Sequence, residues 1–241
     1  MNTQATLEQM QQLRLQGMAQ SYEAILALPS HQHPEAHQML AQLIQQEKEW
    51  KIVKRTRMYL RISKLRYAAS LEEIKCSKKR NLTKEQLALF ADCSYINRSE
   101  NILITGATGC GKSYLACALG HQACLLGHKA LYLNMTRFVE KLTLAKIEGS
   151  VIKLYNQIEK IPLLILDDFG LQPLDPAIRL SLLQILEDRY GKRSTIIASQ
   201  LPINKWHEYI ADSTLADAIL DRLTAKFHRI ELKGESLRKN I

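Results

Sequence analysis

NILITGATGCGKSYLACALGHQACLL, residues 101–126, passes from a short apolar run through a glycine-rich loop into a helical pattern. Within it Gly106-Ala107-Thr108-Gly109-Cys110-Gly111-Lys112-Ser113 satisfies G-x-x-x-x-G-K-[ST], directly after the predicted strand NILIT (101–105) and directly before a helix predicted from Tyr114 to Leu126. That context is the one a phosphate-binding loop requires. Glycines let the backbone curl until successive N–H groups and the helix N-terminus face a phosphate chain. The eight residues are therefore candidates for holding a nucleoside triphosphate, with Lys112 bridging the β- and γ-phosphates and the Ser113 hydroxyl supplied to Mg²⁺.

On the C-terminal side, short apolar runs alternate with helical patterns. ALYLN (130–134), LLILDD (163–168), STIIAS (194–199) and FHRIEL (227–232) join NILIT as five predicted strands. This is the texture of an α/β protein in which helices wrap a parallel sheet, here a P-loop NTPase. The run Leu163 to Leu166 ends in Asp167 and Asp168, the first of them 55 residues beyond Lys112. Open α/β sheets bind ligands at that end of their strands. Asp167 is placed to hold Mg²⁺ through water, and Asp168 to act as general base on an attacking water. Two adjacent carboxylates with no cation would repel each other, so a purely structural pair is costly. The second acid also argues for water as the phosphoryl acceptor, hence an ATPase rather than a small-molecule kinase.

STIIAS ends in Ser199-Gln200, where a polar side chain could feel the γ-phosphate or orient water. In Asp217-Ala218-Ile219-Leu220-Asp221-Arg222-Leu223 a single arginine stands among apolar neighbours. Arg222 can pair locally with Asp217 or Asp221, or reach a nucleotide on a neighbouring subunit, and the residues alone leave both open.

The 241 residues leave room for one such domain and a small appendage. Hydrophobic residues at 46% and charged residues at 24% disfavour disorder and membrane embedding. No apolar run approaches the ~18 residues of a membrane span. The N-terminus lacks a basic region followed by an apolar stretch, so a cytoplasmic location is expected. Five cysteines without C-x2-C spacing read as reduced thiols, and His31, His33 and His37 lack the companions of a metal site.

The first 50 residues read as helical. Thr6 and Gln9 resemble a capping box, Leu7, Met10, Leu15, Met18, Tyr22 and Ile25 form an apolar stripe, and Leu28 to Pro34 breaks it. A second helix is predicted from about Pro34 into a basic stretch. The net charge of +9 is concentrated there: residues 51–100 carry 13 basic and 5 acidic groups, against 2 and 5 in residues 1–50. KIVKRTRMYLRISKLRY (51–67) holds Lys51, Lys54, Arg55, Arg57, Arg61, Lys64 and Arg66 with no acid. A charge run is ordinarily a solvated helix face, but cations of unbroken sign repel one another unless a polyanion is present, and with the chain-wide bias this tilts the reading toward sequence-blind contact with a phosphate backbone. The expected organisation is a helical N-terminal domain over residues 1–67 and an ATPase domain over 68–241. The latter includes a connector, 68–99, in which Thr83 caps a short helix ending near Phe90.

These segments in this order resemble the AAA+ ATPases of the IstB type, helper proteins of insertion-sequence transposases and close relatives of DnaC-type helicase loaders. The resemblance covers nearly the whole chain: Leu13 to Ala19, Asn101 to Leu119, LLILDDFG (163–170), RYGKRSTIIASQLP (189–202) leading to Trp206, AILDRL (218–223) and KGESLRK (233–239). It implies that Arg222 is an arginine finger acting in trans. It puts Gln200 at the sensor 1 position, where the family usually has Asn, and Asp168 where many AAA+ proteins have Glu. Arg238 would be a second sensor. It further implies ATP-dependent self-assembly on DNA, expected to be duplex and of low sequence specificity, with a transposase as partner. A helicase loader and a non-catalytic nucleotide-gated scaffold are the competing readings.

Overall fold

The computed structural model describes residues 3–237. Contacts divide the chain into two compact units, Met1–Met58 and Tyr59–Ile241, and the division falls inside one long helix.

The first unit contains α1 (Thr3–Gln12), α2 (Gln16–Leu26) and most of α3 (Ala36–Ser63). Two sequence expectations change here. Thr6 lies within α1 and does not cap it. The stripe read as one helix is broken between α1 and α2, where Arg14 adopts φ 59°. The cause lies 30 residues away. Glu47 of α3 is buried, and its Oε2 accepts the Gly17 N–H at 2.7 Å and the Met18 N–H at 3.1 Å. A carboxylate thus satisfies two orphan donors of the α2 N-terminus and complements its dipole. Gly17 permits the approach, since a Cβ there would lie 2.5 Å from the Gln46 carbonyl oxygen and 2.7 Å from Glu47 Cα. Glu47→Ala should destabilise this unit by about 2–3 kcal/mol, because both N–H groups lose a charged acceptor. Glu47→Gln, which keeps an acceptor, should lose less in urea unfolding followed by helical CD; equal stability of Glu47→Ala and wild type would refute the capping role.

The helical N-terminal domain was expected to reach residue 67, but Tyr59, Leu60, Leu65 and Tyr67 pack against the core of the second unit. Apolar side chains of the last turn of α3 and of the segment after it therefore belong with the second unit. The connector carries α4 (Lys84–Ala88) and α5 (Ser94–Asn97), and Thr83 and Gln86 form a reciprocal capping box at α4.

The sheet follows as β1 (Asn101–Gly106), β2 (Ala130–Asn134), β3 (Leu163–Phe169), β4 (Ser194–Ser199) and β5 (Phe227–Leu232). Its order is β2-β3-β4-β1-β5, all parallel. The three inner strands are buried almost throughout, whereas the edge strand β5 alternates. Central parallel strands are covered on both faces and so read as unbroken apolar runs. On one face α6 (Lys112–Leu125) and the connector cover Ile102, Ile104 and Ile165. On the other, α7 (Met135–Ile147), α8 (Val151–Glu159), α9 (Pro176–Arg189), α10 (Trp206–Ile210) and α11 (Ser213–Thr224) cover Leu103, Leu164, Leu166 and Ile197. No helix among the described residues is long and apolar enough to cross a membrane.

Candidate nucleotide and hydrolysis site

Strand order brings the motifs together. The glycine loop leaves β1, the paired acids end β3, and Gln200 follows β4, which lies between those two strands. Gly106, Gly109 and Gly111 have φ of 149°, 82° and 91°. Gly111 is the N-cap of α6, so Lys112 and Ser113 open the helix with their amides at its positive end. Lys112 is buried and its Nζ donates to the Ala107 carbonyl at 2.8 Å, inside the curl of the loop. Thr108 Oγ1 donates to Gln200 Oε1 at 2.6 Å, which ties the residue after β4 to the glycine loop. The rest of the loop is braced from outside the motif. Arg80 donates through Nη2 to the Cys110 carbonyl at 2.8 Å, and the Leu237 N–H donates to the Gly109 carbonyl at 3.0 Å. Sequence reasoning read the Arg80 segment only as a connector; an isolated arginine in a basic stretch carries no signal of such a contact. Arg238 lies outside the described residues.

Asp167 is 1% exposed. Its Oδ2 accepts from the Tyr132 hydroxyl at 2.6 Å and its Oδ1 from the Asp168 N–H at 2.8 Å. Burial, with the hydrogen bond to Asp167 second, pushes the Tyr132 phenol well above its ordinary pKa, so it remains a proton donor to the acid. The pairing of β3 with β4 shifts register between Leu166 and Phe169, and Asp168 within that bulge has φ 59°. A bulge re-aims the side chain it carries. Asp is among the residues that tolerate this conformation best. Hydroxyl, carboxylate and phosphate oxygens are the donors a hard cation takes, so Ser113 and Asp167 fit Mg²⁺ on a bound triphosphate.

Arg222 lies at the other end of the sheet. Asn101, the first residue of β1, donates to the carbonyls of Arg222 and Leu223 at 3.2 and 3.1 Å, which fastens the end of α11 beneath the strand starts. The P-loop begins where β1 ends, about 17 Å away at the ordinary rise per strand residue. An arginine side chain does not span that distance. Its guanidinium instead meets Glu187 at 2.6 Å and Asp221 at 3.2 Å, beside a cavity of about 190 Å³ that Arg193 and Lys226 also line. Asp217, one of the two local partners read from sequence, pairs with His207 at 3.4 Å instead. Glu187 went unnoticed because it is 35 residues away on α9.

Lys51, Lys54, Arg55, Arg57 and Arg61 are exposed along α3, with Lys51 3.2 Å from Glu47 and Lys54 over the Trp50 ring. Lys64 and Arg66 lie beyond its end. Lys64 has φ 53°, and Arg66 turns its charge to the paired acids, with Nη1 3.6 Å from Asp168 Oδ2.

Residues 8–241 match the family described as IstB-like ATP binding protein. The chain belongs to that family. Among its IstB-like relatives, a Sinorhizobium fredii protein named as an insertion sequence ATP-binding protein is 40% identical, covering 98% of this chain and 96% of that one. A second protein so named from the same organism is 43% identical over 97% and 94% of the two chains. Solved structures share the fold: the DnaC helicase loader superposes with TM-score 0.54 at 19% identity, covering 69% of this chain and 98% of that one. This IstB-like chain thus carries a P-loop on the five-stranded parallel sheet that it shares with those structures.

Proposed function

We propose that the chain hydrolyses ATP at junctions between copies assembled on duplex DNA, and so recruits or regulates a partner transposase. The observation that carries this reading is the separation of Arg222 from the P-loop of its own chain. A finger at one end of the sheet and a nucleotide at the other are complementary only between molecules. Lys112 binds the β- and γ-phosphates, and Ser113 and Asp167 hold Mg²⁺, which neutralises phosphate charge. Asp168 accepts a proton from water as its oxygen bonds to the γ-phosphorus; the bond from that phosphorus to the β–γ bridging oxygen breaks, and ADP leaves. Gln200 orients that water, a role supported by its hydrogen bond to Thr108 of the glycine loop. Arg222 of the neighbour offsets the charge that develops. ATP in the junction stabilises the assembly by linkage, and hydrolysis loosens it. The exposed cations of α3 supply phosphate contacts without reading bases, and Arg238 completes the reading as a second sensor.

The test is ATPase rate against protein concentration, with and without duplex DNA. The specific rate should climb steeply with concentration and climb further with duplex DNA. A flat rate indifferent to DNA would return the chain to a monomeric P-loop enzyme. The helicase-loader reading is favoured by the fold shared with DnaC; preference for single-stranded DNA and capture of a replicative helicase rather than a transposase would establish it. Hydrolysis that is lost in Asp168→Ala while ATP binding persists would eliminate the non-catalytic scaffold.

A further inference from the structure

Two side chains outside the recognised motifs converge on the paired acids. Tyr132 of β2 donates to Asp167 and interacts with Arg66, whose guanidinium also faces Asp168. The segment that carries Arg66 is fixed on either side of it. Leu65 fills a notch over Gly120 of α6, where a Cβ would lie 2.8 Å from its Cδ2. The Tyr67 ring lies 5.9 Å from that of Tyr114, next to Ser113, and the Tyr114 hydroxyl is bonded to Glu73 at 2.5 Å. Packing therefore delivers Arg66 to the acids.

We infer that Arg66 is a positioning residue that restrains Asp168 in a resting pose, and that its departure from that carboxylate frees Asp168 for proton transfer. This rests on the ATPase reading above and adds a control to it. A guanidinium is a planar fork of donors and can engage a carboxylate and a phenol oxygen together. While it does, an Asp168 oxygen that would accept the proton of water faces a cation. The restraint is cheap to exchange: the two side chains are 43% and 27% exposed, and half-exposed ion pairs hold weakly. Arg66 is also the last cation of the run that begins at Lys51, and Arg61, Lys64 and Arg66 of that run belong to the same unit as Asp168. A polyanion engaging that run offers Arg66 phosphate oxygens in place of Asp168. Duplex DNA then raises turnover by releasing the base as well as by aligning copies.

The experiment compares the full chain with Arg66→Ala, Arg66→Gln and Arg66→Lys. It measures steady-state hydrolysis with and without duplex DNA, and binding of a fluorescent ATP analogue with Mg²⁺ or with EDTA. Without DNA, Arg66→Ala and Arg66→Gln should raise kcat about three- to tenfold at unchanged KM, with the stimulation by DNA reduced by a similar factor. Arg66→Lys, which keeps the charge, should fall between them and wild type. Removing a cation beside the acids should also tighten Mg²⁺-dependent analogue binding about two- to fivefold and leave binding in EDTA unchanged. A kcat that falls or stays put in the two neutral variants, or a DNA stimulation that is fully retained, overturns the inference. If the native chain binds the analogue but hydrolyses nothing with or without DNA, the ATPase reading fails. In that case unchanged Mg²⁺-dependent binding in the neutral variants would overturn the placement of Arg66 as well.

Discussion

Arg222→Ala is expected to bind ATP as the native chain does and to hydrolyse it about 10³-fold more slowly, since a trans-supplied arginine contributes 10³ to 10⁵ in other NTPases. Nucleotide affinity should survive because Arg222 hangs from α11 beneath the start of β1, while Lys112 and the glycine loop lie at the strand's other end. Within one molecule the guanidinium rests on Glu187 and Asp221, all three side chains partly exposed, so leaving them for a phosphate is an exchange between polar surroundings. The deciding experiment mixes two inactive variants. Lys112→Ala keeps Arg222 but lacks the P-loop lysine; Arg222→Ala keeps the lysine but lacks the guanidinium proposed to act in trans. In a random equimolar mixture about a quarter of head-to-tail junctions pair an intact P-loop with an intact finger, so activity should return to a comparable fraction of the native rate. A mixture as inactive as its components would show that Arg222 works only within its own chain or only in folding.

Gly106→Ala should be the most damaging single methyl in the second unit. Gly106 ends β1 at φ 149°, and a Cβ there would lie 2.2 Å from the Leu232 carbonyl oxygen and 2.9 Å from Cys110 Sγ. The first obstacle is backbone of β5, hydrogen-bonded in register with β1, so it cannot rotate away as a side chain would. Either the β1–β5 pairing opens or the phosphate loop shifts. A loss of at least about 4 kcal/mol follows from overpacking plus backbone strain, or roughly 10 °C in Tm for a unit of this size. Scanning calorimetry would read the loss, and nucleotide affinity should fall with it. A variant that melts with the native chain and binds ATP normally would contradict the contact.

The motifs were legible wherever function and burial act on neighbouring residues. LLILDD announces itself because a central parallel strand is apolar on both faces and then meets solvent at its end. STIIAS coincides with the inner strand β4 for the same reason, whereas ALYLN and FHRIEL coincide with the edge strands β2 and β5, which are less completely buried. What stayed hidden depends on distant partners. The break between α1 and α2 answers to Glu47, which no periodicity in residues 3–26 reveals. Arg66 looked like one more cation of a basic helix, yet α3 ends at Ser63 and the chain turns at Lys64. Its carboxylate partner is 102 residues further along, in a segment read for a different purpose. Tyr132 was visible only as a strand residue, because a phenol that donates to a buried strand-end acid obeys no spacing rule.

On the proposed reading, the opposed placement of P-loop and Arg222 would give an open head-to-tail row two unlike ends, which a closed ring would lack. One terminal molecule would hold a nucleotide that no neighbour's arginine reaches, and the molecule at the other end would extend an arginine toward nothing. The first would keep its ATP longest, while interior copies, each served by a neighbour, would turn theirs over. Such a row would age from within while one end stayed fresh, and anything bound along it would meet unlike subunits whose order records which end is which.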